Sequence, residues 1–137
     1  MTQFLSLPSK ILSSKTLKNY AFIVLAMKTG LFIGRFQPFH NGHLHVIKQM
    51  LSECTKIIIG IGSANSEKTE KDPLTAVQRK EIIEKVMLAE NITNYKIALI
   101  NDQESHRLWA DEVRKKTGNF DTLYVSGENI RLDFIKA

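Results

Sequence analysis

The sequence feature that most constrains the fold is the continuous apolar run at residues 57–62, which reads Ile-Ile-Ile-Gly-Ile-Gly. A strand with one face in water alternates apolar and polar residues, but this run is apolar on both faces. Such runs are typical of parallel sheets, because the crossover connections between parallel strands place helices on both sheet faces. Residues 57–62 are therefore predicted to form a buried strand of an α/β fold.

Strands and helices are predicted to alternate from residue 27 onward. Further strands are predicted at residues 31–33, 95–100 and 123–125. Apolar residues at three- and four-residue spacing predict a helix from about Asn41, a second helix capped by Thr75 and a third over residues 105–116. The inner faces are predicted to carry Leu44, Ile47, Met50 and Leu51 in the first helix and Val77, Ile82, Ile83, Val86 and Met87 in the second. This order indicates a Rossmann-like, doubly wound parallel sheet with alternating helices, incomplete at the C-terminus.

Length and charge narrow the class of protein. The 137 residues suffice for one domain with a real core. The net charge of +5 is unevenly placed, because residues 1–27 contain three lysines and no acidic residue. The rest of the chain has no run of basic residues and no pattern of interleaved basic and aromatic residues, so a nucleic-acid partner is not expected. The modest net positive charge suits an enzyme that binds polyanionic nucleotides. The single cysteine, Cys54, excludes an intrachain disulfide and favours a reducing, cytoplasmic setting.

Residues 1–26 differ in composition from the rest of the chain. They are rich in Ser and Lys and end in an apolar run at residues 20–26. That run is too short to span a bilayer, which needs about 20 apolar residues. The segment is interpreted as an N-terminal extension, with a targeting segment as the alternative, and the domain is placed at residues 27–137.

The loop after the first predicted strand carries the strongest functional signal. Gly34 ends that strand without a side chain, so a ligand can approach the backbone. The N-terminus of the following helix offers main-chain N–H groups and a positive dipole end to a bound phosphate. His40 and His43 are three residues apart and can reach one side of this first turn, with Gly42 between them removing a side chain that would crowd the site.

The two histidines have two other interpretations, a metal site and a structural role. A metal site would need further ligands, and His45 points to another face of the helix. Capping or surface histidines would be favoured for an isolated His-x-x-His pair, but the glycine and proline of this loop and its strand–turn–helix context agree on phosphate binding.

The sequence His40-Asn41-Gly42-His43 after a glycine-ended strand resembles the nucleotidyltransferase superfamily. The preceding residues 34–39, Gly-Arg-Phe-Gln-Pro-Phe, resemble the archaeal-type nicotinamide-mononucleotide adenylyltransferases. The likeness continues through residues 61–64, 72–76, 108–109 and 126–127, and so spans essentially residues 27–127.

The resemblance implies that the phosphate of nicotinamide mononucleotide attacks the α-phosphate of ATP in line, releasing pyrophosphate and forming NAD. The nucleophile is already an anion, so catalysis reduces to positioning and charge neutralisation by His40, His43 and Arg35, with Mg²⁺ bridging the ATP phosphates. The residues implied to bind ATP or its phosphates are Gly34, Arg35, Phe36, His40, Gly42, His43, Lys71, Ser126 and Gly127. Lys71 could equally be a solvated loop lysine.

The resemblance also implies an acceptor pocket. Trp109 would stack on the cationic nicotinamide ring, although it could instead be a core residue of the third helix. His106 stands where relatives can carry an amide, which leaves substrate choice open. Asp102 is a further expected partner, with a loop-capping role as the alternative.

The family carries a second phosphate-binding signature further along the sequence. We expect this chain to reach Ala137 before this signature, and Arg131 follows Ser126 and Gly127 too closely to replace it. The expectation is therefore a truncated enzyme, with a binding-only domain or a different phosphorylated acceptor as alternatives. An open sheet edge would invite association, so a homo-oligomer is an open expectation. No membrane partner is expected.

Overall fold

The computed structural model of the protein describes residues 15–19 and 27–125. Residues 15–19 are helical and exposed. The remaining described residues contain four strands and three helices, in the order β1 (Thr29–Gly34), α1 (Asn41–Glu53), β2 (Lys56–Ile61), α2 (Ala76–Ala89), β3 (Tyr95–Leu99), α3 (His106–Thr117) and β4 (Thr122–Val125). The predicted alternation of strands and helices is confirmed.

The four strands form one parallel sheet in the order β3-β2-β1-β4. Phe32 of β1 pairs with Ile59 of β2 on one side and with Tyr124 of β4 on the other. The chain moves outward from β1 through β2 to β3 and then crosses back to place β4 on the opposite side of β1. Because the winding direction reverses there, the carboxyl end of β1 is the expected ligand position in a sheet of this type.

Helices pack on both faces of the sheet, which confirms the doubly wound arrangement. One core joins the β1 and β2 side chains of one face to α1 and α2; its buried members include Phe32, Ile57, Ile59, Ile61, Ile47, Met50, Ile83 and Met87. The other face packs against α3 and includes Leu31, Ile33, Ile58 and Val113. Consecutive strand residues therefore alternate between two cores, as the continuous apolar run of β2 predicts.

Two predicted inner-face residues are wrong. Leu51 of α1 is 40% exposed and Val77 of α2 is 61% exposed. In α2 the residues buried against the sheet are Arg79, Ile83 and Met87, which follow one another at four-residue spacing. An arginine begins this buried stripe, so the apolar pattern alone did not identify the inner face of the helix.

Several predictions fall on residues that the structure does not describe. Ser126, Gly127 and Arg131 lie outside the described residues, and so does most of the predicted extension. In the part of the chain that is described, no helix is long and apolar enough to cross a bilayer.

Candidate functional site

The loops after β1, β2 and β3 meet at the carboxyl edge of the sheet. The Gly62 N–H donates to the Gly34 carbonyl at 2.8 Å, and the Ala64 N–H donates to the Ile100 carbonyl at 2.9 Å. The hydroxyl of Ser63 donates to Oδ1 of Asp102 at 2.9 Å. These contacts bring polar side chains from separate parts of the sequence to one edge of the sheet.

His40 and His43 cap the N-terminus of α1. Nδ1 of His40 accepts the Gly42 N–H at 3.0 Å, and Nδ1 of His43 accepts the His40 N–H at 3.0 Å. The two rings lie 3.8 Å apart between centroids and are tilted by 30°. The capping alternative is therefore realised, but it occupies only Nδ1 of each ring. These partners assign the proton of each neutral ring to Nε2, so each histidine can also donate one hydrogen bond to an anion.

His43 lies in an aromatic enclosure that holds its ring in place. Phe32, Phe36 and Phe39 surround it at centroid distances of 6.0, 4.8 and 5.3 Å. The side chain is only 8% exposed. Burial, and then the proximity of His40, lowers the pKa of His43 from 6.5 to about 4. His43 is therefore a neutral, fixed donor at physiological pH.

The two loop glycines differ in what fills the space beside them. A Cβ on Gly42 would lie 2.8 Å from Cε1 of His40, so the glycine makes room for the capping ring. A Cβ on Gly34 would lie 3.0 Å from Cζ of Phe36. The absence of a Cβ on Gly34 therefore makes room for the Phe36 ring, and the approach of a ligand to the Gly34 backbone stays a prediction. Phe36 is itself 2% exposed, and its ring packs on His43, so its side chain supports the histidine.

A cleft of about 560 Å³ opens beside these loops. It brings together four residues predicted for the site; its lining is Arg35, Asp102, Gln103, Glu104, Ser105, His106 and Trp109. Trp109 is half-buried, and its other side packs against the core beneath α3. Both readings of Trp109, core residue and cleft wall, therefore describe its position. His40 and His43 are not part of this lining; His40 ends the loop that carries Arg35, and His43 lies in the first turn of α1.

The charged residues around the cleft are partly paired. Nη1 of Arg35 lies 3.3 Å from Oδ2 of Asp72, and the Arg35 side chain is 62% exposed. Lys71 is exposed and does not line the cleft, which agrees with its reading as a solvated loop lysine. Asp102 accepts the Ser63 hydroxyl, so it also has the loop-tying role considered as an alternative. Among the described residues, no three His, Cys, Asp or Glu side chains are grouped as a metal ion would require.

Sequence reasoning missed Gln37. Its side-chain amide bonds both main-chain groups of Leu74, donating to the carbonyl at 2.8 Å and accepting the N–H at 2.9 Å. This pair ties the first loop to the segment before α2. The sequence did offer a signal for this contact, because Gln37 is an amide residue inside the motif of residues 34–39 and was given no role.

Arg79 was also missed. Arg79 is 1% exposed, and its guanidinium donates hydrogen bonds to main-chain carbonyl oxygens in the loops after β1 and β2. Burial lowers its pKa, against the opposing effect of the Asp72 charge. The available signal was its position four residues before Ile83 and eight before Met87, on the inner stripe of α2.

Comparison with known families and sequences gives one consistent grouping. The model of the cytidylyltransferase-like family matches residues 31–136. A nicotinamide-nucleotide adenylyltransferase of Thermoplasma acidophilum is 41% identical over 109 residues, covering 80% of this chain and 61% of the relative. One from Methanococcus vannielii is 43% identical over 99 residues, covering 72% of this chain and 57% of the relative. The chain thus spans about 60% of the length of these curated relatives.

Solved structures give the same grouping. A bifunctional NMN adenylyltransferase/ADP ribose pyrophosphatase from Francisella tularensis, complexed with AMP and a Mn ion, aligns with a TM-score of 0.66 and 32% identity. The alignment covers 80% of this chain and 35% of that one. The Rossmann-like fold inferred from the sequence is confirmed by this likeness.

Proposed function

The chain belongs to the cytidylyltransferase-like family, and on that premise we propose that it transfers the adenylyl group of ATP to nicotinamide mononucleotide, forming NAD and pyrophosphate. The observation that carries the proposal is the double histidine cap of α1. Because Nδ1 of His40 and of His43 each accepts a main-chain N–H, both Nε2–H groups are available as donors at the end of a helix dipole.

The chemistry asks little of the protein beyond charge stabilisation. A phosphate oxygen of nicotinamide mononucleotide forms a bond to the α-phosphorus of ATP, and the bond from that phosphorus to the bridging oxygen of pyrophosphate breaks. No proton must be removed from the anionic nucleophile. His40 and His43 donate hydrogen bonds to phosphate oxygens as charge redistributes in the transition state. The low pKa of His43, about 4, makes it a neutral donor before the substrates bind.

Arg35 and the cleft would hold the two substrates relative to each other. Arg35 lies on the loop of the histidines and also lines the cleft, so its guanidinium can contact phosphates after leaving Asp72. Trp109 presents an aromatic wall to the nicotinamide ring, and Asp102 and His106 supply polar groups near its edge. Mg²⁺ would enter with ATP as part of the substrate and would neutralise part of the phosphate charge.

The remaining parts of the proposal concern the context of the enzyme. The catalytic domain corresponds to residues 27–137, with residues 1–26 as an extension. A reducing, cytoplasmic location fits a chain with one cysteine. Association into a homo-oligomer is part of the proposal and is tested by light scattering of the purified chain.

The decisive experiment measures NAD formed by the purified chain from ATP, nicotinamide mononucleotide and Mg²⁺. His43→Asn keeps an acceptor near the position of Nδ1 but removes the Nε2 donor, and His40→Asn does the same while remaining a good helix cap. Each should lower the rate roughly 100-fold, the usual cost of one transition-state donor, without loss of helical signal.

His45→Asn is the matched control, because His45 is exposed on the same helix. Unchanged turnover in His43→Asn would refute the phosphate role. A wild-type chain that binds ATP but forms no product would be a binding-only domain. Product with a different phosphorylated acceptor, and none with nicotinamide mononucleotide, would replace the acceptor while keeping the histidine site.

A further inference from the structure

We infer that Arg79 is a positioning residue, which holds the loops after β1 and β2 in the conformation that the nucleotide site needs; this rests on the proposed function. Its Nη1 donates to the carbonyl oxygens of Arg35 at 2.9 Å and Gly62 at 2.7 Å. Its Nη2 donates to the Ser63 carbonyl at 3.1 Å. One buried guanidinium thus links two loops that are far apart in the sequence.

The carbonyls that Arg79 binds flank the two strained residues of these loops. Phe36 has a φ of 55° and Ser63 a φ of 48°, in the left-handed region that side chains rarely adopt. Arg79 bonds the carbonyl immediately before Phe36, the one immediately before Ser63 and that of Ser63 itself. Such conformations persist where surrounding contacts hold them, and here one side chain contributes such contacts to both loops.

Both loops place groups that the proposed site uses. The first loop carries the Arg35 side chain into the cleft and leads into the capped end of α1. In the second, Ser63 donates from its hydroxyl to Asp102, which also lines the cleft. Release of either loop would therefore move a cleft residue, although Arg79 itself is not among the residues that line it.

Charge gives Arg79 a second effect on the site. Carbonyl oxygens at the ends of parallel strands carry partial negative charge, which disfavours a nearby polyanion. Arg79 binds three of these oxygens with a group that stays cationic in proteins, and it has a fourth bond from Nε to the Thr75 carbonyl at 3.3 Å. A lysine could keep the charge, but its single ammonium group could not reproduce this fork.

The test compares Arg79→Lys with a core variant of the same helix, Ile83→Val or Met87→Ala, whichever has the closer melting temperature. Hydrogen exchange is measured first without nucleotide. The Gly62 amide, bonded to the Gly34 carbonyl, should exchange at least tenfold faster in Arg79→Lys and not in the control. With substrates, KM for ATP should rise about tenfold in Arg79→Lys, more than kcat falls, and the control should keep the wild-type KM.

Equal exchange rates in Arg79→Lys and the control would overturn the inference, and so would an unchanged KM. If the wild-type chain does not turn over, the proposed function fails, and the exchange experiment alone decides the role of Arg79. If Arg79→Lys does not fold, NMR of the Arg79 guanidinium in the wild-type chain replaces the comparison of variants. Its Nη protons should exchange slowly and its Cζ–Nη rotation should be hindered, and fast exchange with free rotation would overturn the inference.

Discussion

The two halves of the proposed site are built in contrasting ways. The histidine loop, residues 34–43, is partly embedded in the protein: His43 is 8% exposed and Phe36 2% exposed, and both pack among aromatic rings, whereas His40 and Arg35 are exposed. The acceptor cleft is bordered by the first turn of α3, where Leu108 is 49% exposed and His106 is also exposed. The first region resists change through packing and hydrogen bonds, whereas the second presents side chains to solvent.

This difference matches the tasks assigned to the two regions. Transfer from ATP needs donors fixed before the reaction, because a donor that must reorganise loses much of its electrostatic benefit. The acceptor needs a wall and a few polar groups, which exposed side chains on a helix can supply and vary. Substitutions should therefore have large effects on rate at the histidine loop and smaller effects on acceptor affinity at the cleft.

Gly42→Ala should produce the largest effect and would sharpen the contrast most directly. The new Cβ would stand 2.8 Å from Cε1 of His40, so the capping ring must move. We expect NAD formation to fall roughly 100-fold, comparable to the loss of a positioned donor. Steady-state rates of NAD formation measure this effect, with Gly118→Ala as the control. In that variant the added Cβ meets nothing within 4 Å, although the backbone φ of 75° is strained for alanine. Near-wild-type activity in Gly42→Ala would mean that the His40 ring need not stay in its capping position.

Acidification should reveal the buried state of His43. Its pKa is about 4 in the folded chain and near 6.5 when unfolded, so between these values the unfolded state binds a proton that the folded state does not. The contribution of His43 to the free energy of unfolding is fully present above pH 6.5 and decreases as the pH falls toward 4. The free energy of unfolding should therefore decrease by about 2 kcal/mol between pH 7 and 4.5 on account of His43.

Urea unfolding of wild type, His43→Asn and His45→Asn at both pH values measures this contribution. The pH dependence should become smaller in His43→Asn and stay like wild type in His45→Asn, whose histidine is exposed. The same pH dependence in all three proteins would show that His43 does not experience a buried environment, which would break the contrast between the two regions.

The sequence was sufficient for the fold because its strongest signals are local. The apolar run of β2 requires burial on both faces, and Thr75 and Ser105 cap their helices as their residue types favour. The structure adds that Arg35 and Trp109 line one cleft, at the edge of the sheet where the carboxyl ends of the parallel strands meet.

The missed features depend on contacts between distant parts of the chain. Arg79 bonds a carbonyl 44 residues away, and no local pattern distinguishes such an arginine from a solvated one. Gln37 likewise reaches Leu74 across 37 residues. Phe36 was assigned to the phosphate site because it lies inside the motif; the structure shows its ring buried against His43, a contact that no local pattern indicates. The sequence motif thus places the candidate site residues along the chain, whereas the residues that support them are apparent only from the folded contacts.

Trp109 should give the smallest effect, because its contribution is one face of one ring in an open cleft. Trp109→Leu keeps apolar volume against the core below α3 but removes the aromatic face, whereas Trp109→Phe keeps a smaller one. A cation–π contact at a partly exposed site is worth about 1 kcal/mol, so Trp109→Leu should weaken binding of nicotinamide mononucleotide roughly fivefold and Trp109→Phe less.

Calorimetric titration measures both affinities, with Leu108→Ala, a variant of the exposed neighbouring residue, as the control. ATP affinity should stay unchanged in all three, because the proposed phosphate donors, His40 and His43, do not line the cleft. If Trp109→Leu instead lost ATP affinity, the two regions would form one continuous site, and the division between a rigid phosphate loop and an adaptable acceptor cleft would have to be abandoned.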